Sequence, residues 1–479
     1  MNALKFIIPF FIMIATTNAQ NDLTSQLYDS YEKFKEPSLE KRRIKYPQIQ
    51  PLIDRLRNNS KFEVKKVGES IEGRDLNLIS IGSGATKVFL WSQMHGDEPT
   101  ATQALFDIFN FLDAKDFEEE KQLILSKLSL HFLPMLNPDG AEVFQRRNAL
   151  GIDINRDALR LQSPEGQTLK KVRDSLEAKF GFNLHDQSRY YNAERTEKPA
   201  TISYLAPAYN YEKEINEIRG DAMKVIVFMN DIIQQYAPGQ VGRYNDTFEP
   251  RAFGDNLTKW GTGVILIESG GYANDREKQE IRKLNYVSIL SALYTMAMES
   301  YKEISLEAYE EIPRNDRKMF DLKIVNATYE LEGNKFQIDL GINYNEVDLE
   351  GHQDFYYKSL LVDQGDLSTY YGYETFDATG YTIVPPKIGN KPAANDAQLK
   401  KGIAFGISDL PATGFHTNAM LNMVPKSFKL PNFQLQPGQN PNFFLEKNGV
   451  LTHAIINGFL LDLGKPLDQQ QFGNALIFR

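Results

Sequence analysis

The chain has 479 residues, 42% hydrophobic and 24% charged, an ordinary balance for a soluble globular protein with room for two or three domains. Its formal charge of −9 is mild over this length and excludes the concentrated basic face that a nucleic-acid partner requires. The absence of cysteine excludes disulfides, thiolate metal ligands and a thiol nucleophile.

Residues 1–19 read as a signal peptide. Lys5 supplies the positive start, Phe6 to Ala15 an apolar run interrupted at Pro9, and Thr17-Asn18-Ala19 a small-residue cleavage site. The run is about ten residues, too short to span a bilayer. Export to the periplasm or the medium is therefore expected, with no membrane anchor left after cleavage. A cysteine-free exported chain of this size fits a bacterial protein.

Residues 20–60 read as an N-terminal helical segment, broken near Glu36-Pro37-Ser38. From residue 61 to 302, strands alternate with helices. Strands are expected at Lys65 to Gly68, Leu76 to Ile81, Val88 to Trp91, Leu128 to Leu136, Phe180 to Leu184 and Gly263 to Ile267. Helices are expected at Thr100 to Leu112, Ser163 to Lys179, Tyr211 to Tyr236 and Asp275 to Tyr301. This alternation implies an α/β domain with a largely parallel, helix-covered sheet. Residues 303–318, charged and containing Pro313, read as a linker. Residues 319–479 carry short alternating strands, many glycines and prolines and little helical period, and read as a mostly β accessory domain of sandwich type.

Three groups of polar residues follow directly on apolar strands. His95-Gly96-Asp97-Glu98 follows the strand ending near Ser92, His185 follows Gly181 to Leu184, and Glu268 follows Val264 to Ile267. The carboxyl ends of strands are where open α/β sheets place their ligands. Two imidazoles and a carboxylate with a fourth position open make a catalytic zinc set, although similar sets accept other divalent ions. A carboxylate such as Glu268 at the end of a buried strand is costly unless it is paired or useful. It suits a base that takes a proton from water beside a metal. His131, His352, His416 and His453 lack such company. A further group comprises Asn137-Pro138-Asp139-Gly140, Arg146-Arg147-Asn148 and Asp153-Ile154-Asn155-Arg156-Asp157. An arginine fork suits a carboxylate or a developing oxyanion.

Taken in order, His95-x-x-Glu98, Asn137-Pro138-Asp139-Gly140, Asp153-Ile154-Asn155-Arg156, His185 and Glu268 resemble the zinc metallocarboxypeptidases typified by the pancreatic enzymes. The likeness is greater to shorter bacterial members, and it covers about residues 60 to 300. The resemblance implies a three-layer α/β/α fold around a mixed, mostly parallel eight-stranded sheet. It implies one zinc per chain on His95, Glu98 and His185, with Glu268 as general base. It also implies Asn155 and Arg156 as holders of the substrate carboxylate, and Arg146 as the group polarising the scissile carbonyl, with Arg147 competing for that role. Tyr244 matches the family's mobile tyrosine, with Tyr204 as the fallback. Asp157 departs from the pattern, standing where the pancreatic enzymes have a second asparagine, and is expected to add negative charge to the carboxylate pocket. The Asp255 region also does not align cleanly with the part that sets side-chain preference. The implied activity is removal of C-terminal residues from peptides. The alternatives are an amidase acting on peptidoglycan-derived peptides and a non-catalytic envelope protein binding peptides or glycans.

Overall fold

The computed structural model describes residues 22–390, 396–407 and 422–470; residues 1–19, read as a leader, and His416 lie outside the described residues. The chain divides into two compact units, Met1–Arg317 and Lys318–Arg479.

The first unit is built on β1 (Glu63–Glu69), β2 (Asp75–Ile81), β3 (Thr86–Ser92), β4 (Leu128–Leu133), β5 (Phe180–Asp186), β7 (Ile202–Leu205), β8 (Val241–Arg243) and β9 (Gly263–Ser269), with the short β6 (Asn192–Ala193) outside the main sheet. Their order across the sheet is β1-β2-β4-β3-β5-β9-β7-β8. The central strands β4, β3, β5 and β9 are parallel neighbours, while β1, β2 and β7 join antiparallel. The sheet is therefore mixed, as expected.

Alternation along the strands fills two cores. Val88 and Leu90 of β3 enter one, with Ile265 and Ile267 of β9, and Phe89, Trp91 and Val264 enter the other. Helices Thr100–Asp113, Glu217–Tyr236 and Gln279–Met298 bury residues in the first core, and Pro164–Leu176 and Phe253–Lys259 in the second. This makes three layers. Among the described residues no helix is long and apolar enough to cross a membrane.

Element ends differ from the sequence reading where local chemistry intervenes. The helix expected from Tyr211 begins at Glu217, because Asn216 accepts the Arg219 N–H and caps it there. The strand expected to reach Leu136 ends at Leu133. The helix Glu118–Lys127 and the strands β7 and β8 are additional.

Two flanking segments are part of this unit. The segment ahead of the sheet is held by an ion pair of Arg282 and Asp107, which has no exposure. Arg282 also donates to the carbonyls of Glu36 and Leu39, and Tyr31 donates to Asp107. After the sheet, the stretch expected as a linker holds the helix Ala308–Glu311 and β10 (Asn315–Asp316), which pairs with β6. Tyr309 accepts the Ala206 N–H at 3.0 Å, and Asn315 bonds both Gln187 (2.7 Å) and Ser203 (2.8 Å).

The second unit is mostly β. Its larger sheet runs through Phe355–Gly365, Asn334–Asp348, Met319–Leu331, Thr382–Val384, Phe443–Lys447, Val450–Ile456 and Phe459–Asp462, with Tyr371–Asp377 beside Met319–Leu331. A three-stranded parallel sheet of Lys387–Gly389, Ile403–Ile407 and Asn422–Val424 accompanies it. Among the described residues the two sheets are thus unequal in size.

Candidate metal and catalytic site

β3, β5 and β9 deliver the site. β5 and β9 are in register, with His185 directly beside Glu268. Beyond β3, the turn carrying His95 and Glu98 packs against the Asn137-Pro138-Asp139-Gly140 turn so closely that a Cβ on Gly96 would overlap the Gly140 carbonyl carbon. Only glycine fits there. Asn137 caps its own short helix by accepting the Gly140 N–H and donates from its amide to the Arg146 carbonyl, which fixes where the arginine loop starts.

His95, Glu98 and His185 are all buried, and their ligand atoms lie within 4.8 Å of one another. His95 Nδ1 is 2.8 Å from Glu98 Oε1, and His185 Nδ1 is 2.7 Å from Glu98 Oε2 and 3.2 Å from His95 Nδ1. Both histidines thus turn Nδ1 toward the carboxylate. The other nitrogen of His95 faces Asp153 Oδ1 at 3.3 Å, while Asp153 Oδ2 accepts from Arg146 Nε at 3.0 Å. A carboxylate behind a histidine fixes its tautomer and raises its basicity toward a metal. Two imidazole nitrogens and a carboxylate converging beside an open pocket fit zinc.

The charges balance one another. Burial pushes His95 down, but Glu98 and Asp153 outweigh it and hold its pKa up at about 9. Burial would raise Glu98 and Asp153, yet the histidines, and for Asp153 also Arg146, hold both carboxylates far below their usual range. For Glu268 the nearby charges of His95 and Arg146 do not prevail. Burial, then the Glu98 carboxylate, push it well above the ordinary glutamate range.

These residues open into a pocket of about 330 Å³, lined among others by Arg146, Asn155, Arg156, Tyr244 and Glu268. Arg146 Nη1 reaches His95 Nδ1 (3.0 Å) and Glu98 Oε1 (3.4 Å). Arg147 instead donates to the Gly151 carbonyl at 2.9 Å and does not line the pocket. Asn155 Oδ1 accepts the Phe253 N–H, and Arg156 sits 3.4 Å from Glu249. Tyr244 stacks edge-on against Tyr191, and its hydroxyl is pushed up by burial and by Glu268. Tyr204 is in the core, bonded to Ser288.

Asp157 corrects an expectation. Its carboxylate accepts from the backbone of Gln162 and Ser163 and from the Ser163 hydroxyl, anchoring the start of helix Pro164–Leu176, and is not part of the pocket lining. The negative charge at the pocket comes from elsewhere. Asp255 lines it, with burial raising its pKa to about 6. Asp153 stood in the sequence only as part of a motif. Its contact with His95 spans 58 positions and becomes visible only when β3 and the arginine loop are brought together. His131 lies between Ser80 and Ser129, His352 on Asp348 and His453 against Phe376, none of them in the pocket lining.

Residues 49–229 match the sequence model of the zinc carboxypeptidase family. That span includes His95, Glu98 and His185 and stops short of Tyr244 and Glu268, which the fold brings to the same pocket. The chain is 29% identical over 175 residues to carboxypeptidase SOL1 of Arabidopsis thaliana, an overlap covering 30% of this chain and 35% of that protein. It is 29% identical over 141 residues to carboxypeptidase 2 of Trichophyton rubrum, covering 27% and 26%. The chain thus spans about a third or less of the length of these curated relatives. Among solved structures, it is similar to a metallo-carboxypeptidase from Burkholderia cenocepacia, with 15% identity, a TM-score of 0.43, and coverage of 53% of this chain and 70% of that one. A metallo-carboxypeptidase from Pseudomonas aeruginosa gives 18%, 0.42, 53% and 69%.

Proposed function

We propose, from the zinc carboxypeptidase match of residues 49–229, that this protein is a zinc-dependent carboxypeptidase removing C-terminal residues from peptides, with Glu268 as its general base. One observation carries the reading: the buried Glu268 carboxylate stands in register with His185, in a pocket that also holds Asn155 and Arg156, two groups suited to a peptide terminus.

His95, Glu98 and His185 would hold the metal. Zinc bound there supplies Lewis acidity, which makes hydroxide available near neutral pH. Glu268 accepts the proton of the attacking water and passes it to the departing amine. Arg146 donates to the carbonyl oxygen as negative charge builds on it. The Asn155 amide and the Arg156 guanidinium receive the terminal carboxylate, the fork giving two parallel bonds. Tyr244, which lines the same pocket, keeps its proton and serves as a donor. Export by the leader at residues 1–19 is part of the same proposal, supported by the leader's sequence alone.

The test compares wild type with Glu268→Gln. Metal content is measured by mass spectrometry, and hydrolysis is followed on paired peptides with free and amidated C-termini. The expected result is about one zinc per chain in both proteins, with wild type releasing C-terminal residues from the free-carboxylate peptides only. The Gln variant should be inactive. Appreciable turnover by that variant would remove Glu268 as the base, and equal cleavage of amidated peptides would remove the carboxypeptidase reading.

A further inference from the structure

One residue beyond each of the paired side chains His185 and Glu268, a second set of contacts ties the same strands together. Asp186 follows His185 and is in register with Ser269, which follows Glu268. Asp186 Oδ2 accepts from the Thr100 hydroxyl at 2.6 Å and from Lys278 Nζ at 3.0 Å. Lys278 Nζ also donates to the Ser269 carbonyl at 2.9 Å. The backbone N–H of Asp186 donates to the ligand Glu98 at 3.2 Å, and Thr100 opens the helix that follows Glu98. A single carboxylate and a single ammonium thus join the three segments that carry His185, Glu98 and Glu268.

The pair is shielded, with side-chain exposures of 12% for Lys278 and 6% for Asp186. Lys278 is also held at φ 52°, the left-handed region, as the residue preceding helix Gln279–Met298. A long side chain is disfavoured there, and such strain persists only where the surroundings impose it.

We infer that Lys278 is a positioning residue for the metal site and its base. The ammonium offsets Asp186, so that the carboxylates of Asp186, Glu98 and Glu268 can crowd together, and it fixes the carbonyl after Glu268 against the carboxyl after His185. Without the cation, a shielded carboxylate is left facing two others, and the three segments are free to separate. The inference rests on the metallopeptidase reading of the pocket.

The experiment uses the full protein and the variants Lys278→Met, Lys278→Arg, Asp186→Asn and the double variant Asp186→Asn/Lys278→Met. Zinc affinity is read by competition with a chromophoric chelator, thermal unfolding by circular dichroism, and kcat and KM on a free-carboxylate peptide. Lys278→Met should bind zinc about 10–100-fold more weakly and lose kcat, with KM within about threefold. Lys278→Arg should regain most of the zinc affinity. The double variant should bind zinc more tightly than Lys278→Met, because it removes the stranded charge together with the cation. A folded Lys278→Met with zinc affinity within about twofold of wild type would overturn the inference, leaving the residue a purely structural role. So would a double variant that binds zinc more weakly than Lys278→Met. If Lys278→Met does not fold, Asp186→Asn decides, and unchanged zinc affinity there is fatal to the idea. Zinc affinity is read without substrate, so a wild type that binds zinc but cleaves no peptide counts against the proposed function alone.

Discussion

Replacing Asp153 by Asn should weaken the metal site from behind. Asp153 serves three donors: Oδ1 faces His95 Nε2 at 3.3 Å and accepts the Asn155 N–H at 3.0 Å, while Oδ2 accepts Arg146 Nε at 3.0 Å. Asparagine keeps one acceptor oxygen and sets an N–H₂ donor against a donor on the other side. His95 then loses the partner that keeps a proton on Nε2 and leaves Nδ1 free to face Glu98 and His185. Loss of such a partner costs about 10–100-fold in metal affinity, equivalent to about 1.4–2.8 kcal/mol. Chelator competition measures it directly, and kcat at saturating zinc shows how far Arg146 has also been misplaced. Asp157→Asn is the control, since that carboxylate is buried in the same loop but serves Ser163 and Gln162. The control should unfold at lower temperature and bind zinc within about threefold of wild type. If Asp153→Asn keeps its affinity within about twofold, or if the control loses as much, His95 is not held this way.

Arg146→Ala should lower kcat about 10²–10³-fold while zinc stays bound, and Arg147→Ala should stay near wild type; steady-state kinetics on the two variants settle which arginine meets the carbonyl. Arg282→Met strands Asp107 with no exposure, a loss of about 3–5 kcal/mol, which calorimetry should record as a fall in thermal midpoint of about 6–10 °C. His131 gives a pH effect of defined sign. Burial and then Lys87 push its pKa down to about 4, below the unfolded value of about 6.5, so the unfolded chain takes up the proton first. The stabilisation is complete above about pH 6.5 and disappears between there and about pH 4. Urea unfolding across that window should show wild type losing about 1–2 kcal/mol more than His131→Gln, after allowance for the partly exposed ring.

The elements legible in the sequence are those with a strong period or a hard boundary. Val88 to Trp91, Phe180 to Leu184 and Gly263 to Ile267 are apolar runs with polar residues at their ends, so strand and site position were readable together. Helix Glu118–Lys127 escapes a sequence reading because it buries only Lys121 and Ile124 and so shows no apolar stripe. β7 and β8, at four and three residues, are too short to display alternation. Tyr211 and Ile215 extend a helical spacing beyond the true start, yet both are exposed and lie outside the Asn216 cap. The departure at Asp157 has a similar origin. Its position in the motif points to the pocket, whereas the Ser163-Pro164 helix start nearby claims its oxygens. Lys278 carries no signal, because its meaning depends on which strands lie side by side.

The segment after the last long helix bears on how such a chain can be recombined. Tyr309, Glu310 and Asn315 reach Ala206, Arg243, Ser203 and Gln187, and Ser203 is the residue paired across from Glu268. A crossover at residue 303 would therefore sever groups that brace the neighbour of the Glu268 strand, even though every residue proposed for the chemistry would be inherited. A crossover after Arg317 would carry them intact. Exchange of the C-terminal β unit during descent would keep these contacts only at the second junction.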